Sequence, residues 1–151
     1  MKYFLVLLTA ASLAINVKAQ TAEDSIKAVI NKMFEAMKNS DAANLRSCFG
    51  DSVVFQTIIR DKEGNAVVKN ESVNDFIESI SKLPKGAADE QIRFETIKID
   101  GPLAIAWAPY NFYYNGQFSH CGMDSFQLVR FGNGWKIQYI IDTRRRQGCT
   151  Q

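Results

Sequence analysis

Residues 103–146 read LAIAWAPYNFYYNGQFSHCGMDSFQLVRFGNGWKIQYIIDTRRR. Three apolar-rich segments are separated by two Asn-Gly pairs, Asn115-Gly116 and Asn133-Gly134. A type I′ turn needs positive φ at both central residues, so Asn-Gly between alternating segments marks a hairpin. The stretch therefore predicts a three-stranded antiparallel meander. A two-residue turn at Asn115-Gly116 sets Tyr113 opposite Phe118, Asn111 opposite His120, Trp107 opposite Asp124 and Ile105 opposite Phe126. A two-residue turn at Asn133-Gly134 sets Leu128 opposite Tyr139, Phe126 opposite Ile141 and Asp124 opposite Thr143. Opposed residues share a face. One face then carries Leu103, Ile105, Trp107, Phe126, Leu128, Ile137, Tyr139 and Ile141, and reads as core. The other carries Ala104, Ala106, Ala108, Ser125, Gln127, Lys136 and Gln138. Arg130, opposite Ile137, fits poorly, and a bulge near Gly132 would absorb it.

Upstream of the meander the signals are helical. Ile26, Val29, Ile30, Met33, Phe34 and Met37 form one stripe at helical spacing, so residues 22–38 predict a helix. Thr21 followed by Asp24 is its capping box. Asn39-Ser40-Asp41 breaks this helix and caps a short second one, with Leu45, Cys48 and Phe49 turned inward. Residues 53–60 are β-branched and aromatic and predict a strand, and residues 66–69 predict a short strand paired back on it. A third helix follows over residues 73–82, capped by Ser72 with Asp75. Pro84, Gly86 and the run to Glu90 read as a loop. Residues 91–100 read as a strand whose apolar phase shifts between Phe94 and Ile97, which predicts a bulge. Helices early and strands late predict an α+β domain, a curved antiparallel sheet wrapped on three helices. Such a sheet makes a cone with a closed apolar end and an open mouth.

The amino terminus has the pattern of an export signal. Lys2 is followed by an uncharged run from Phe4 to Ile15 and then by the small residue Ala19. This predicts a signal peptide over residues 1–19, a single domain over 20–151, and a periplasmic or secreted location. The apolar run is shorter than the roughly 20 residues that a bilayer requires. Loss of Lys2 and Lys18 would cancel the formal charge of +2, so the global field favours neither nucleic acid nor an anionic membrane. Export permits disulfides, and three cysteines leave one thiol over. Cys48, on a helical stripe, reads as a buried small hydrophobe. A Cys121–Cys149 bridge and three free thiols both remain open.

The helix–break–helix start, His120-Cys121-Gly122-Met123-Asp124, Trp135-Lys136-Ile137 and Asp142-Thr143-Arg144-Arg145 together resemble the nuclear-transport-factor-2-like superfamily. Within it, the chain is similar to the secreted branch described as putative lumazine-binding and polyketide-cyclase-like. The resemblance covers nearly all of the domain. It implies the cone fold and a small-molecule ligand, and steroid-isomerase-like relatives imply an inward carboxylate acting as a general base.

The predicted core face turns polar at one end, where Trp107, Asn111, His120, Asp124 and Thr143 lie. With Tyr139 and Arg145 these are the candidate ligand-binding residues. Asp124 is the candidate catalytic base, because a carboxylate against an indole is desolvated and its pKa rises. The bland alternative is that Asp124 is a structural residue hydrogen-bonded to Thr143. His120 stands four strand residues away, roughly 13 Å at about 3.3 Å per residue, and reads as a rim residue. No metal site is expected, since Cys121 points to the opposite face from His120, and no cofactor fingerprint is present. Tyr110, Phe112, Tyr114 and Met123 make the outer face apolar, which predicts a homodimer through it. The first functional reading is an exported binding domain for a small apolar or heteroaromatic molecule. A cone-type isomerase, dehydratase or cyclase using Asp124 is the second, and a purely structural dimerisation domain the third.

Overall fold

The computed structural model describes residues 21–149. The expected signal peptide and its cut after Ala19 lie outside the described residues. Helix α1 spans Ala22–Lys38 and α2 Ala42–Ser47, followed by strands β1 Phe49–Arg60 and β2 Ala66–Glu71. Helix α3 is Val73–Ser81, and β3 Ala88–Ile92, β4 Thr96–Asp100, β5 Leu103–Tyr114, β6 Gln117–Phe131 and β7 Gly134–Arg145 complete the chain. The strands form one large, curved, unclosed sheet in the order β2-β1-β7-β6-β5-β3, with β4 pairing β5 beyond β3. All pairs are antiparallel except β1 with β7, which run parallel. Among the described residues no helix is long and apolar enough to cross a membrane.

Local chemistry explains the helix ends. Thr21 accepts from the Asp24 amide at 3.1 Å while Asp24 accepts from the Thr21 amide at 3.3 Å, a complete capping box. Ser40 sits at φ 56°, and its hydroxyl donates to the Leu83 carbonyl, so the break after α1 is held by α3's C-terminal loop. Asp41 and Ser72 cap α2 and α3. The predicted stripe of α1 is the buried one: Ile26, Ile30, Met33, Phe34 and Met37 all face the sheet. Phe34 meets Phe126 edge to face at 6.2 Å.

Two bulges change the predicted register of the meander. The first hairpin starts as expected. Asn115 and Gly116 both have positive φ, and Tyr114 pairs with Gln117 and Tyr113 with Phe118. Ser119 is then an extra residue, so Phe112 rather than Asn111 faces His120, and every later pair is displaced by one. In the second hairpin the turn is Gly132-Asn133, with Phe131 paired to Gly134, and Gln138 is the extra residue. A displacement of one exchanges faces. Ala104, Ala106 and Ala108 are therefore inside, while Leu103, Ile105 and Trp107 are outside and 41–46 % exposed. The physical reason is volume: the helices and Phe126 already fill the concave side, so the sheet contributes its smallest side chains there.

Between residues 88 and 100 the expected single strand is two. β3 begins earlier than predicted, at Ala88, and the chain crosses residues 93–95 with Arg93 and Glu95 amides still donating to Pro109 and Trp107 carbonyls. β1 also starts earlier, at Phe49.

The inner face is consequently a set of rows running across the strands. Ala104, Leu128 and Ile137 form the closed end, followed by Ala106, Phe126, Ile140 and Phe55. The third row is Ala108, Asp124, Asp142 and Thr57. The fourth is Tyr110, Gly122 and Arg144, and the last, at the mouth, is Glu90, Phe112 and His120. The cone changes from apolar to acidic within one step along the strands.

Cys121 and Cys149 form a disulfide across 28 residues, and Cys48 is a buried free thiol. The bridge ties the tail after β7 to the outer side of β6. Cys149→Ala should lower stability by about 2–4 kcal/mol, the range for cross-links closing loops of this size. Urea unfolding of the two proteins side by side measures it, and an unchanged midpoint would show that the tail docks without the bridge.

Candidate functional site

A cavity of about 200 Å³ lies between the helices and the middle of the inner sheet face. Its apolar wall is Met33, Phe34 and Met37 from α1, Phe76 and Ile80 from α3, and Phe55, Phe126 and Ile140 from the sheet. Its polar wall is Glu71, Glu90, Tyr110, His120, Asp124, Asp142 and Arg144.

Of the residues expected from the sequence, the structure puts His120 and Asp124 in this wall. The other five are elsewhere, because the bulge at Ser119 and the extra residue Gln138 turn them outward. Trp107 is 44 % exposed on the convex face. Asn111 pairs with Cys121 on that same side. The Tyr139 hydroxyl donates to Gln56 Oε1 at 2.6 Å, Thr143 Oγ1 accepts from the Met123 amide at 3.2 Å, and Arg145 donates to the Gly148 carbonyl. Asp124 therefore does not sit beside Trp107 and Thr143. Its cross-strand neighbours are Ala108 and Asp142.

Five polar wall residues escaped the sequence reading. Glu90 lay in a stretch read as loop. Asp142 and Arg144 were assigned to the outer face by the one-residue slip, and Tyr110 was assigned to the dimer surface. Glu71 lay beyond the predicted end of β2. One signal could have found one of them: Ala104, Ala106 and Ala108 continue in phase into Tyr110 and Phe112, a small-to-large gradient along one face.

The polar wall is an electrostatic unit. Asp124 and Asp142 are 4 % and 5 % exposed. Asp142 Oδ2 takes the Arg144 Nε–H at 2.8 Å and lies 3.2 Å from the Tyr110 hydroxyl, which is also 3.0 Å from the Thr143 carbonyl. Gly122 makes this possible. A Cβ there would collide with the Thr143 carbonyl oxygen and sit 2.5 Å from the Tyr110 ring, so only glycine leaves room for both. Arg144 reaches on to Glu71 at 3.8 Å.

The Glu90 and Asp124 carboxyls come within interacting reach of each other. Burial raises Asp124 well above the ordinary carboxylate range, and the charges of Glu90 and Asp142 raise it further. Burial likewise raises Glu90 to about 7, with Asp142 adding to the effect and the Asp124 hydrogen bond opposing it. Tyr110 is pushed up by burial and then by Asp142, so its hydroxyl keeps its proton. His120 packs against Tyr110 and Phe112, with Ser119 Oγ 3.1 Å from its Nδ1. Burial and the nearby Arg144 lower its pKa, which favours the neutral ring.

The model of the putative lumazine-binding family matches residues 21–139. The chain belongs to that family. No curated protein matches it. This putative lumazine-binding domain is similar in fold to an NTF2-like protein of unknown function from Shewanella baltica, at 16 % identity over 87 % of this chain and 100 % of that one, with a TM-score of 0.65. An NTF2-like protein of unknown function from Methylobacillus flagellatus aligns at 18 % identity over 89 % and 99 %, TM-score 0.65. A putative dehydratase of the NTF2-like family from Streptomyces avermitilis aligns at 14 % over 81 % and 94 %, TM-score 0.58.

The Glu90–Asp124 pair links stability to pH. Its folded pKa values lie above the unfolded ones, so its contribution is complete below the unfolded range, about pH 4–5. It is lost as pH rises through about 7. Acidification from near pH 7.5 to near pH 5.5 should therefore add about 1–3 kcal/mol of stability from this pair. Glu90→Gln should remove most of that slope. Urea midpoints of both proteins across the range measure it, and equal slopes would show that the pair does not hold a shared proton.

Proposed function

We propose that this chain is an exported binding domain for a small, flat, apolar or heteroaromatic molecule held in the cavity between the helices and the sheet. The observation that carries the reading is the cavity itself: aromatic and methionine side chains on one side, and a compact set of hydrogen-bonding groups on the other. The family description adds a small heteroaromatic ligand class. Export is supported by the basic start, uncharged run and small residue ahead of the domain, and by a disulfide that needs an oxidising compartment.

A catalytic reading rests on one specific arrangement, the Glu90 carboxyl set against the buried Asp124 carboxyl. Burial brings Glu90 to about 7, the range where a carboxyl both takes and gives a proton at neutral pH. In that reading Asp124 or Glu90 is the base of an isomerase, dehydratase or cyclase. One structural relative is described as a putative dehydratase.

Dimerisation through the outer sheet face is also proposed, on different residues from those the sequence suggested. Tyr110 and Phe112 point into the cavity. The outer face instead offers Leu103, Ile105 and Trp107, each 41–46 % exposed and side by side along β5. An apolar strip of this kind on a sheet invites a second copy.

Native mass spectrometry of protein purified from its own host should reveal a bound small molecule. Ile80→Trp, which fills the cavity from α3 at an overpacking cost of about 1–3 kcal/mol, should abolish that extra mass while the chain stays folded. Retention of the ligand by the filled variant would move the site elsewhere. Light scattering tests the dimer: the wild type should have twice the chain mass, and Trp107→Asp should halve it. A wild type of single-chain mass at high concentration would remove the proposal.

A further inference from the structure

The cavity wall is rich in acceptors and poor in available donors. Asp124 and Asp142 project from facing positions on β6 and β7. Directly opposed residues place their Cβ atoms roughly 4.5–5.5 Å apart, close enough for both carboxyls to meet one small group. Asp142 Oδ2 is already engaged by Arg144 and Tyr110, but Asp142 Oδ1 and Asp124 Oδ2 are buried with no donor. Glu90 supplies a third carboxyl to the same space. Arg144 is committed to Asp142 and Glu71, and Tyr110 to Asp142 and the Thr143 carbonyl, which leaves the Thr57 hydroxyl, across from Asp142 on β1, as a buried donor without a partner. Among the described residues no three His, Cys, Asp or Glu side chains converge to hold a metal ion.

A buried acceptor without a donor costs about 1–3 kcal/mol, and more when charged. Two such oxygens in the wall of an open cavity are satisfied by whatever enters it. An anion would meet three carboxyls and one already paired arginine. A ligand edged with carbonyl oxygens would set acceptors against acceptors. A group with two adjacent N–H donors and a positive charge matches the wall, in the way a guanidinium matches a carboxylate through two parallel hydrogen bonds. The opposite wall fits a planar cation too, because Phe34, Phe76 and Phe126 offer ring faces or edges.

We propose that the cavity takes a planar nitrogen cation, an amidine or a protonated 2-amino heterocycle, with its N–H edge on Asp124 and Asp142 and its ring among the phenylalanines. This deepens the small-molecule reading and rests on it. The cation replaces a proton. The groups facing the acid pair are Glu71 from β2, Glu90 from β3, Tyr110 from β5, His120 from β6 and Arg144 from β7, while α1 and α3 contribute only apolar side chains to this space. Burial of Glu90 beside Asp124 keeps a proton there in the empty protein up to about pH 7. Cation binding releases it, so affinity rises as pH rises through that value and levels off above.

Titration calorimetry on the full domain with benzamidine, benzamide and indole tests this. Benzamidine carries the cationic edge, benzamide is its neutral counterpart, and indole reports the apolar cavity alone. Near pH 8, benzamidine should bind at one site per chain and about tenfold or more tighter than benzamide, a single hydrogen-bonded charge pair's worth. The preference should shrink near pH 5.5. Asp142→Asn should weaken benzamidine about tenfold and leave indole unchanged. If that variant unfolds, Glu90→Gln, which leaves the Asp142–Tyr110–Arg144 contacts in place, should weaken benzamidine and flatten its pH dependence. Benzamide or indole binding as well as benzamidine, or a benzamidine affinity indifferent to pH and to the substitutions, overturns the cation assignment while the cavity stands as a small-molecule site. Failure of all three probes overturns both readings.

Discussion

One extra residue in β6 decides which side of the sheet is inside. Strand side chains alternate, so the bulge at Ser119 inverts the faces of β5 relative to the turn that starts the hairpin. The inversion puts three alanines against the helices and sends Leu103, Ile105 and Trp107 outward. It also turns Tyr110 into the cavity and His120 into the same row as Glu90 and Phe112. The second bulge, at Gln138, carries the inversion into β7 and turns Asp142 and Arg144 inward. Without both bulges the acid cluster would not exist, because its members would be spread over two faces. Bulges are common beside functional sites for this reason: they aim side chains that a regular ladder would point away.

The acid cluster in turn has an electrostatic logic. Three carboxyl groups share a space with one arginine, and the two opposed aspartates cannot both ionise cheaply in a dry wall. Arg144 and Tyr110 both donate to Asp142, while burial beside Asp124 raises Glu90 to about 7. Gly122 is the positional requirement beneath this arrangement, since the Tyr110 ring occupies the volume of its missing side chain.

Much of the fold was legible in the sequence because it depends on periodicity and caps. The stripe of α1, the capping residues Thr21, Asp41 and Ser72, and both hairpins follow from residue types at fixed spacing. Asn115-Gly116 even gave the correct first two pairs of its hairpin. The site was legible only in part. Asp124 is inside as read, yet for a register that differs by one residue on both flanking strands, so its expected neighbours Trp107 and Thr143 were wrong. A bulge leaves no mark in composition, since Ser119 and Gln138 are unremarkable strand residues. Its trace was the misfit of Arg130 with Ile137, which called for an irregularity in the second hairpin but did not locate it at Gln138. Glu90 was missed because Ala-Ala-Asp-Glu has weak strand propensity, and pairing with β5 overrides it.

The parallel pairing of β1 with β7 has a temporal consequence. Lys136 on the last strand donates to the carbonyl of Ser47, 89 residues earlier, just ahead of the first strand. The first strand thus has its central neighbour in β7, far along the chain. Contacts so distant in sequence form late and slowly, because the loop between them must be closed first. The cone therefore closes only when β7 has paired with β1, and a chain without β7 presents helices without the sheet they cover.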